Sequence, residues 1–462
     1  VRDVWRRKKE VIVSGLTMTR WCLIFLLLGL LPSCLEAEKA DPEARYPLNE
    51  LQGDFDQLDN LITGGHPQYF TDRQALQGAL RAQRALLVDG MTTIEFFRVV
   101  APVAAMVKCG HTRISLPPAL WDSLSRRDGF LPLEIKVIDG GLFVQRNLAG
   151  GGDVPPGAVV LAIDGRPAQG IIRLMKAGLP ADGDNDTYKL YAMNHQFAKL
   201  YHRLVDDAEA FTVTIRETAD GAERQVVLPA LNWRRIAELT TDRLGGGSTQ
   251  PRLACEFAGG GSYAVLRVAD FGYYGDPEVF RRPVDAFFTK VKQDGIGAVI
   301  LDLRGNDGGD PYCSSFLANH LMDRPLVYFA PGTRHYDDLV RPLPVPANVF
   351  TGALYVLIDG WCFSSTGHLC ALLKHHGVGV FIGEETGGSY ACNDASSSHV
   401  LNHTGIELNL PNETFRVAVD GLTKGRGILP DIPVQPTISD LIDGRDVVME
   451  QAEALIQRQH PD

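Results

Sequence analysis

The stretch from Tyr355 to Asn393, YVLIDGWCFSSTGHLCALLKHHGVGVFIGEETGGSYACN, constrains the chain most, because it reads as strand, sharp turn, helix, strand and glycine loop in one uninterrupted unit. Tyr355 to Ile358 is a short apolar, β-prone run, Asp359-Gly360 punctuates it, and Leu369, Leu372 and Leu373 then fall at helical spacing. Ser364 stands where the helix begins. The unpaired N–H groups and dipole of a helix start favour negative charge, which is what develops on a carbonyl oxygen when a serine attacks an acyl group. Serine is also a preferred N-cap, so this stretch alone leaves capping and nucleophilic attack both open.

The neighbouring segments extend the pattern. Tyr263 to Val268 reads as a strand, Val279 to Val291 as a helix with Phe287 and Phe288 facing a core, and Ala298 to Leu303 as a buried strand. Strands alternating with helices predict an α/β sheet, in which sites gather at the carboxyl ends of strands. Gly308 and Gly309 follow such an end. Arg304 and Asp302 suit a structural role, binding loop carbonyls and amides.

The first half of the chain is organised differently. Leu51, Phe55, Leu58 and Leu61, then Leu76, Leu80 and Leu87, recur at helical spacings, and Thr92, Thr93 and Glu95 mark a further helix start. That helix leads into Cys109-Gly110-His111-Thr112 and a β-like segment, Arg113 to Leu116. From Leu131 to Pro229 short strands alternate with glycine turns, and a helix is expected over Asp186 to Leu204. Pro156 to Gly165, PGAVVLAIDG preceded by a second proline, resembles the hairpin by which PDZ domains are recognised. Such domains add a peptide strand to a sheet edge. A structural β domain without a groove is the alternative. A polar, glycine-containing stretch between Arg234 and Pro251 reads as a linker.

Three blocks carry a resemblance. Gly383-Glu384-Glu385-Thr386-Gly387-Gly388, Leu301 to Gly309 in LDLRGNDGG, and Gly425 to Val434 in GRGILPDIPV stand in the order found in the tail-specific, or C-terminal processing, serine peptidases. With weaker similarity upstream, the resemblance covers roughly residues 45 to 440. Its spacing points to Ser364 rather than Ser365 as nucleophile. The better-known branch carries a lysine base where Ser389 stands here, so the chain is more similar to the tricorn-like Ser/His branch, whose histidine lies upstream in a GHT sequence. This implies His111 as general base, with His368 its chief rival one helical turn after Ser364. The resemblance further implies an oxyanion hole from the backbone amides of Gly308 and Ser365. The orienting acid has no obvious counterpart: Lys424 stands about where the branch has glutamate, and Asp420 is the nearest acid.

The fold class expected is multidomain α+β. It comprises a helical N-terminal domain over 45–130, a PDZ-like β domain over 131–232, and an α/β catalytic core of the tail-specific protease, ClpP/crotonase-like type over 253–440. A C-terminal helix follows over 441–462.

A net charge of -11 argues against nucleic acid as a partner, because phosphate binding needs clustered Lys and Arg. Residues 1–17 read as an N-terminal extension or a misassigned start, since an export signal begins cleanly at Met18. Its apolar run, Trp21 to Leu31, falls short of the roughly 20 residues a membrane span needs. It ends in Leu31-Pro32-Ser33-Cys34, which resembles a bacterial lipobox; the resemblance implies a lipoprotein-type signal peptide over 18–34 whose Cys34 is lipidated and becomes the mature N-terminus. The expectation is an exported, periplasm-facing lipoprotein. Export permits disulfides among Cys109, Cys255, Cys313, Cys362, Cys370 and Cys392, and one bridge near the motif residues is expected. No Cys or His spacing suits zinc, and no cofactor is implied. The reading is therefore a serine peptidase acting on proteins or peptides, with the neighbourhood of their C-termini as one expected place of cleavage. The alternatives are a catalytically inactive peptidase fold that binds peptides or ligands, and an acyl hydrolase of another kind.

Overall fold

A computed structural model of the protein describes residues 41–459, apart from 151–152, 218–220, 241–250 and 259–260. The expected extension 1–17, the signal 18–34 with Cys34, and most of the expected linker lie outside the described residues.

The C-terminal half is built on a six-stranded sheet in the order Leu253–Phe257, Ala264–Val268, Ala298–Asp302, Ala353–Ile358, Val380–Gly383 and Ile432–Pro433. The first strand pairs antiparallel and the others run parallel. Every residue of Ala298–Asp302 is buried, because both faces of the sheet are covered. Helices Glu278–Gln293, Pro311–His320 and Ser365–His375 cover one face through Phe288, Leu317 and Leu372. Helix Val447–Gln459 covers the other through Val448, Ala452 and Ile456. This two-sided burial is why the strand reads as a continuous apolar run rather than an alternating one.

A second, antiparallel sheet runs Glu223–Pro229, Ala210–Arg216, Val159–Ile163, Gly141–Asn147 and Leu133–Ile138, with Arg166–Pro167 beside its middle strand. Helices Ala168–Gly178 and Asp186–Leu204 pack on it through Ile171, Met175, Met193 and Phe197. The longer helix has the expected bounds, starts where the Asn185 side chain accepts the Tyr188 N–H, and bends at Gln196. Leu133–Ile138 is an edge strand, yet its outer side is not open at Val137. Asn194 accepts the Val137 N–H at 2.6 Å and donates to its carbonyl at 3.3 Å. The expected linker is helical at its start: Asn232 caps Trp233–Leu239, and Ile236 is buried, which anchors that turn.

The N-terminal helices are Leu48–Gly65, Arg73–Arg84 and Thr93–Met106, the last begun by a capping box between Thr92 and Glu95. They share their core with a distant hairpin, Ser397–Val400 and Glu407–Leu410: Leu401, Ile406 and Leu408 pack with Leu51, Phe55 and Val100. Arg113–Ser115 adds to the same hairpin as its third strand. Asp54, fully buried, fastens the turn by accepting the His403 and Thr404 N–H groups at 2.9 and 2.8 Å and the Thr404 hydroxyl at 2.7 Å. The six cysteines after Cys34 are all free thiols, so the expected bridge is absent among the described residues. Among those residues no helix is long and apolar enough to cross a membrane.

Candidate active site

Strand Ala353–Ile358 ends in a turn, Asp359 to Phe363, that delivers Ser364 to the start of helix Ser365–His375. The turn is braced from three sides. The Asp359 carboxylate accepts the Gly305 and Trp361 N–H groups, the Trp361 ring stacks on Tyr188 and Tyr191 of helix Asp186–Leu204, and the Phe363 N–H donates to the Asn306 carbonyl. The price is local strain: Ser364 has φ 53° and ψ −126°, a region that non-glycine residues avoid. Its side chain makes no hydrogen bond to the helix N–H groups, so it does not cap the helix. Instead Ser364 Oγ lies 3.2 Å from His111 Nε2.

His111 arrives from the other end of the chain. The strand after it, Arg113–Ser115, is held by the hairpin pairing, and its ring packs against Phe363 with centroids 4.6 Å apart. Gly110 makes this approach possible, since a Cβ there would meet the Phe363 ring at 2.5 Å. Burial pushes His111 down to about 4, against the pull of Asp394 and with the help of Arg113, so the ring is neutral near pH 7. Asp394 Oδ2 lies 3.7 Å from the same Nε2 that faces Ser364. His111 Nδ1 is buried without a hydrogen-bond partner. The serine oxygen and a neutral imidazole nitrogen at this separation have the geometry for proton transfer during nucleophilic attack.

The other expected residues fare differently. The Ser365 N–H heads the helix, where no preceding turn offers it a carbonyl, as an oxyanion donor requires. Gly308 is in place but not free. A Cβ on it would meet the Ser364 Cβ at 2.6 Å, yet its N–H already donates to Asn306 Oδ1 at 2.9 Å. Buried Asn306 also accepts from Thr366 Oγ1 and donates to the Val268 carbonyl, so this bond belongs to a buried knot rather than to the cleft. The expectation of Gly308 as a donor is corrected accordingly; it supplies close approach. Asp420 is corrected too. Its carboxylate is 97% exposed and stands 3.7 Å from His375 Nδ1, at the far end of the helix that Ser364 begins, about 15 Å away at about 1.5 Å per residue. His368 is buried with both ring nitrogens unpartnered, and burial, then His111, pushes it down to about 3. It lies against Phe329 rather than on the serine oxygen. Cys362 donates to the Leu303 carbonyl at 3.1 Å, and burial holds its thiol well above the usual range. Arg304 pairs with Asp302 and Asp446, a structural clamp as expected.

Sequence reasoning missed Asp394 and Asp182, which no motif marks. Asp182 is 2% exposed, and its Oδ1 accepts the Gly110 N–H at 2.8 Å. Two cavities meet at Ser364. One of about 1800 Å³ runs past Gly308 and Trp361 to edge strand Leu133–Ile138 and the helix beside it. The other, about 340 Å³, is walled by Phe329, Tyr336 and Phe415 and suits an apolar side chain.

Residues 262–434 match Peptidase family S41. This part of the chain belongs to peptidase family S41. The chain that carries it is a serine-type hydrolase acting on proteins or peptides. Among solved structures, mature CPAF complexed with lactacystin resembles this chain with a TM-score of 0.62 at 15% identity, over 88% of this chain and 97% of that one. Mature CPAF gives 0.61 at 15%, over 90% and 98%. At such identity the likeness shows a shared fold. The photosystem II D1 C-terminal processing protease follows with a TM-score of 0.41 at 16% identity, over 86% and 96%. No curated protein matches this chain by sequence.

Proposed function

We propose that the protein is an exported peptidase that cleaves by a Ser–His mechanism, with Ser364 as nucleophile and His111 as general base. The observation that carries this reading is the 3.2 Å approach of Ser364 Oγ to His111 Nε2, made by a serine whose backbone is strained and whose side chain leaves the helix uncapped. In the first step the Ser364 O–H proton passes to Nε2 as Oγ bonds to the scissile carbonyl carbon. The oxyanion is met by the Ser365 N–H at the start of the helix. Collapse breaks the C–N bond, and Nε2 returns the proton to the leaving amine. Water, deprotonated by the same nitrogen, then releases the acid and restores the serine.

Substrate enters as an extended chain along the larger cavity, where the PDZ-like sheet edge and Ser364 share one space. A C-terminal segment fits this route, since an edge strand pairs with a chain end as readily as with an internal loop. The test is a pair of variants, Ser364→Ala and His111→Ala. Each should lower kcat by about a thousandfold or more, and the double variant should be little worse, because members of one catalytic unit are strongly non-additive. A fluorophosphonate should label wild type at Ser364. Near-wild-type turnover by His111→Ala, with labelling that survives Ser364→Ala, overturns the mechanism, whereas a wild type that neither turns over peptides nor takes the label leaves the inactive binding fold as the alternative.

Export with lipid anchoring at Cys34 belongs to the same proposal and rests on the sequence from Met18 to Cys34. Cys34→Ser should move the protein from the membrane fraction to the soluble one or leave its precursor unprocessed; unchanged fractionation and processing would remove the anchor.

A further inference from the structure

We propose that Asp182 is the carboxylate that orients His111 and offsets the charge of its imidazolium, acting on Nδ1 through a bridging water or a small rotation of its own side chain. The inference rests on the Ser–His reading. For Nε2 to accept the Ser364 proton, the neutral ring must carry its hydrogen on Nδ1, and that atom is buried without a partner. A buried donor left unmatched is destabilising, so the site needs an acceptor there. Asp182 supplies one of the right kind. One of its oxygens accepts the N–H of Gly110, the residue before His111, and the other, Oδ2, is buried and unpartnered. Two orphaned atoms of complementary type thus stand on neighbouring groups.

The carboxylate is also fixed to the histidine loop. Gly183 N–H donates to the Lys108 carbonyl at 3.0 Å, and Lys108 Nζ bonds Asp184 at 2.6 Å, so residues 182–184 and 108–110 form one clamp. The rival carboxylates are placed wrongly. Asp394 faces Nε2, where it favours the tautomer that cannot take the serine proton, and Asp420 is far off. The remaining charged or titratable neighbours of His111, Arg113 and His368, oppose an imidazolium. Around Asp182 stand Cys109, Cys392, Tyr188 and Asp394, none of them a cation.

This arrangement inverts the usual order of titration. Burial, with Asp394 adding to it, pushes Asp182 up to about 7, whereas burial pushes His111 down to about 4. The group that gains its charge near neutrality is therefore the carboxyl. On this account the rising limb of the kcat profile lies near 7 in wild type. Asp182→Asn keeps an acceptor for the Gly110 N–H but removes the charge. It should lower kcat about tenfold or more with KM within about twofold, as expected of a group that acts only as the imidazolium forms. Its rising limb should move down toward the range of His111. A purely structural role would leave the limb where it is.

Three results sort the possibilities. If Ser364→Ala and His111→Ala abolish turnover while Asp182→Asn keeps wild-type kcat and limb, this inference is overturned and the Ser–His reading stands. If the first two retain turnover, the Ser–His reading itself fails. Should Asp182→Asn not fold, Asp182→Ser, which also offers the Gly110 N–H an acceptor without the charge, takes its place: kcat about tenfold lower with KM within about twofold supports the inference, and unchanged kcat overturns it.

Discussion

Ser364 and Gly110 divide the demands of the site between two unusual backbone positions. Ser364 keeps φ 53° because the turn before it is braced by Asp359, Trp361 and Asn306, and strain of this sort costs roughly 1–3 kcal/mol. Gly110 has no strain of its own, but the Phe363 ring fills the space where a side chain would begin. Gly110→Ala should therefore push the 109–112 loop off Phe363 and lengthen the His111 to Ser364 contact. We expect kcat to fall by about 10²-fold, since misplacement by about 1 Å costs that much, with fluorophosphonate labelling slowed in parallel. Unchanged labelling kinetics in a folded Gly110→Ala protein would show that the ring can yield. At this scale the motif spacing singled out Ser364 and His111, and the fold brings their side chains within 3.2 Å of each other. The Gly308 amide was misread, since Asn306 belongs to the same LDLRGNDGG block and no spacing reveals which way its side chain turns.

Elements that bury a whole face were read from periodicity with little error. Helix Asp186–Leu204 has the bounds expected, and strand Ala298–Asp302 lies within the expected run, because a regular apolar pattern reports a regular surface to cover. The Trp233–Leu239 helix was lost in a polar stretch, since a single cap at Asn232 and one buried Ile236 leave no period to detect. The pairing of Asn194 with Val137 was equally invisible, being a contact between a helix and a strand about 57 residues apart. It has a functional edge. Asn194 makes both bonds that a docking strand would ask of Val137, so a peptide that pairs along the strand as far as Val137 must first displace it. In a Ser364→Ala background, Asn194→Ala should bind peptides about tenfold more tightly, the value of one to two exchanged hydrogen bonds. Equal or weaker binding, measured by fluorescence anisotropy, would argue that peptides do not use this edge.

Across the whole molecule, the arrangement that sequence could least anticipate is the core shared by the first helices and the hairpin Ser397–Leu410. Reading from one end suggests a helical domain standing by itself, yet Asp54 spends its carboxylate on His403 and Thr404, and Leu408 and Leu51 belong to one cluster. The same hairpin carries Arg113–Ser115 and so sets the position of His111, which is separated from Ser364 by 253 residues. A chain emerging from synthesis makes its base early and its nucleophile late, and the two meet only after the earliest helices have closed over one of the last hairpins to appear. Until then the serine has no partner. On the Ser–His reading, a copy whose first helices have not closed over that hairpin holds Ser364 apart from His111, so loosening those helices should cost activity even while the central sheet is intact.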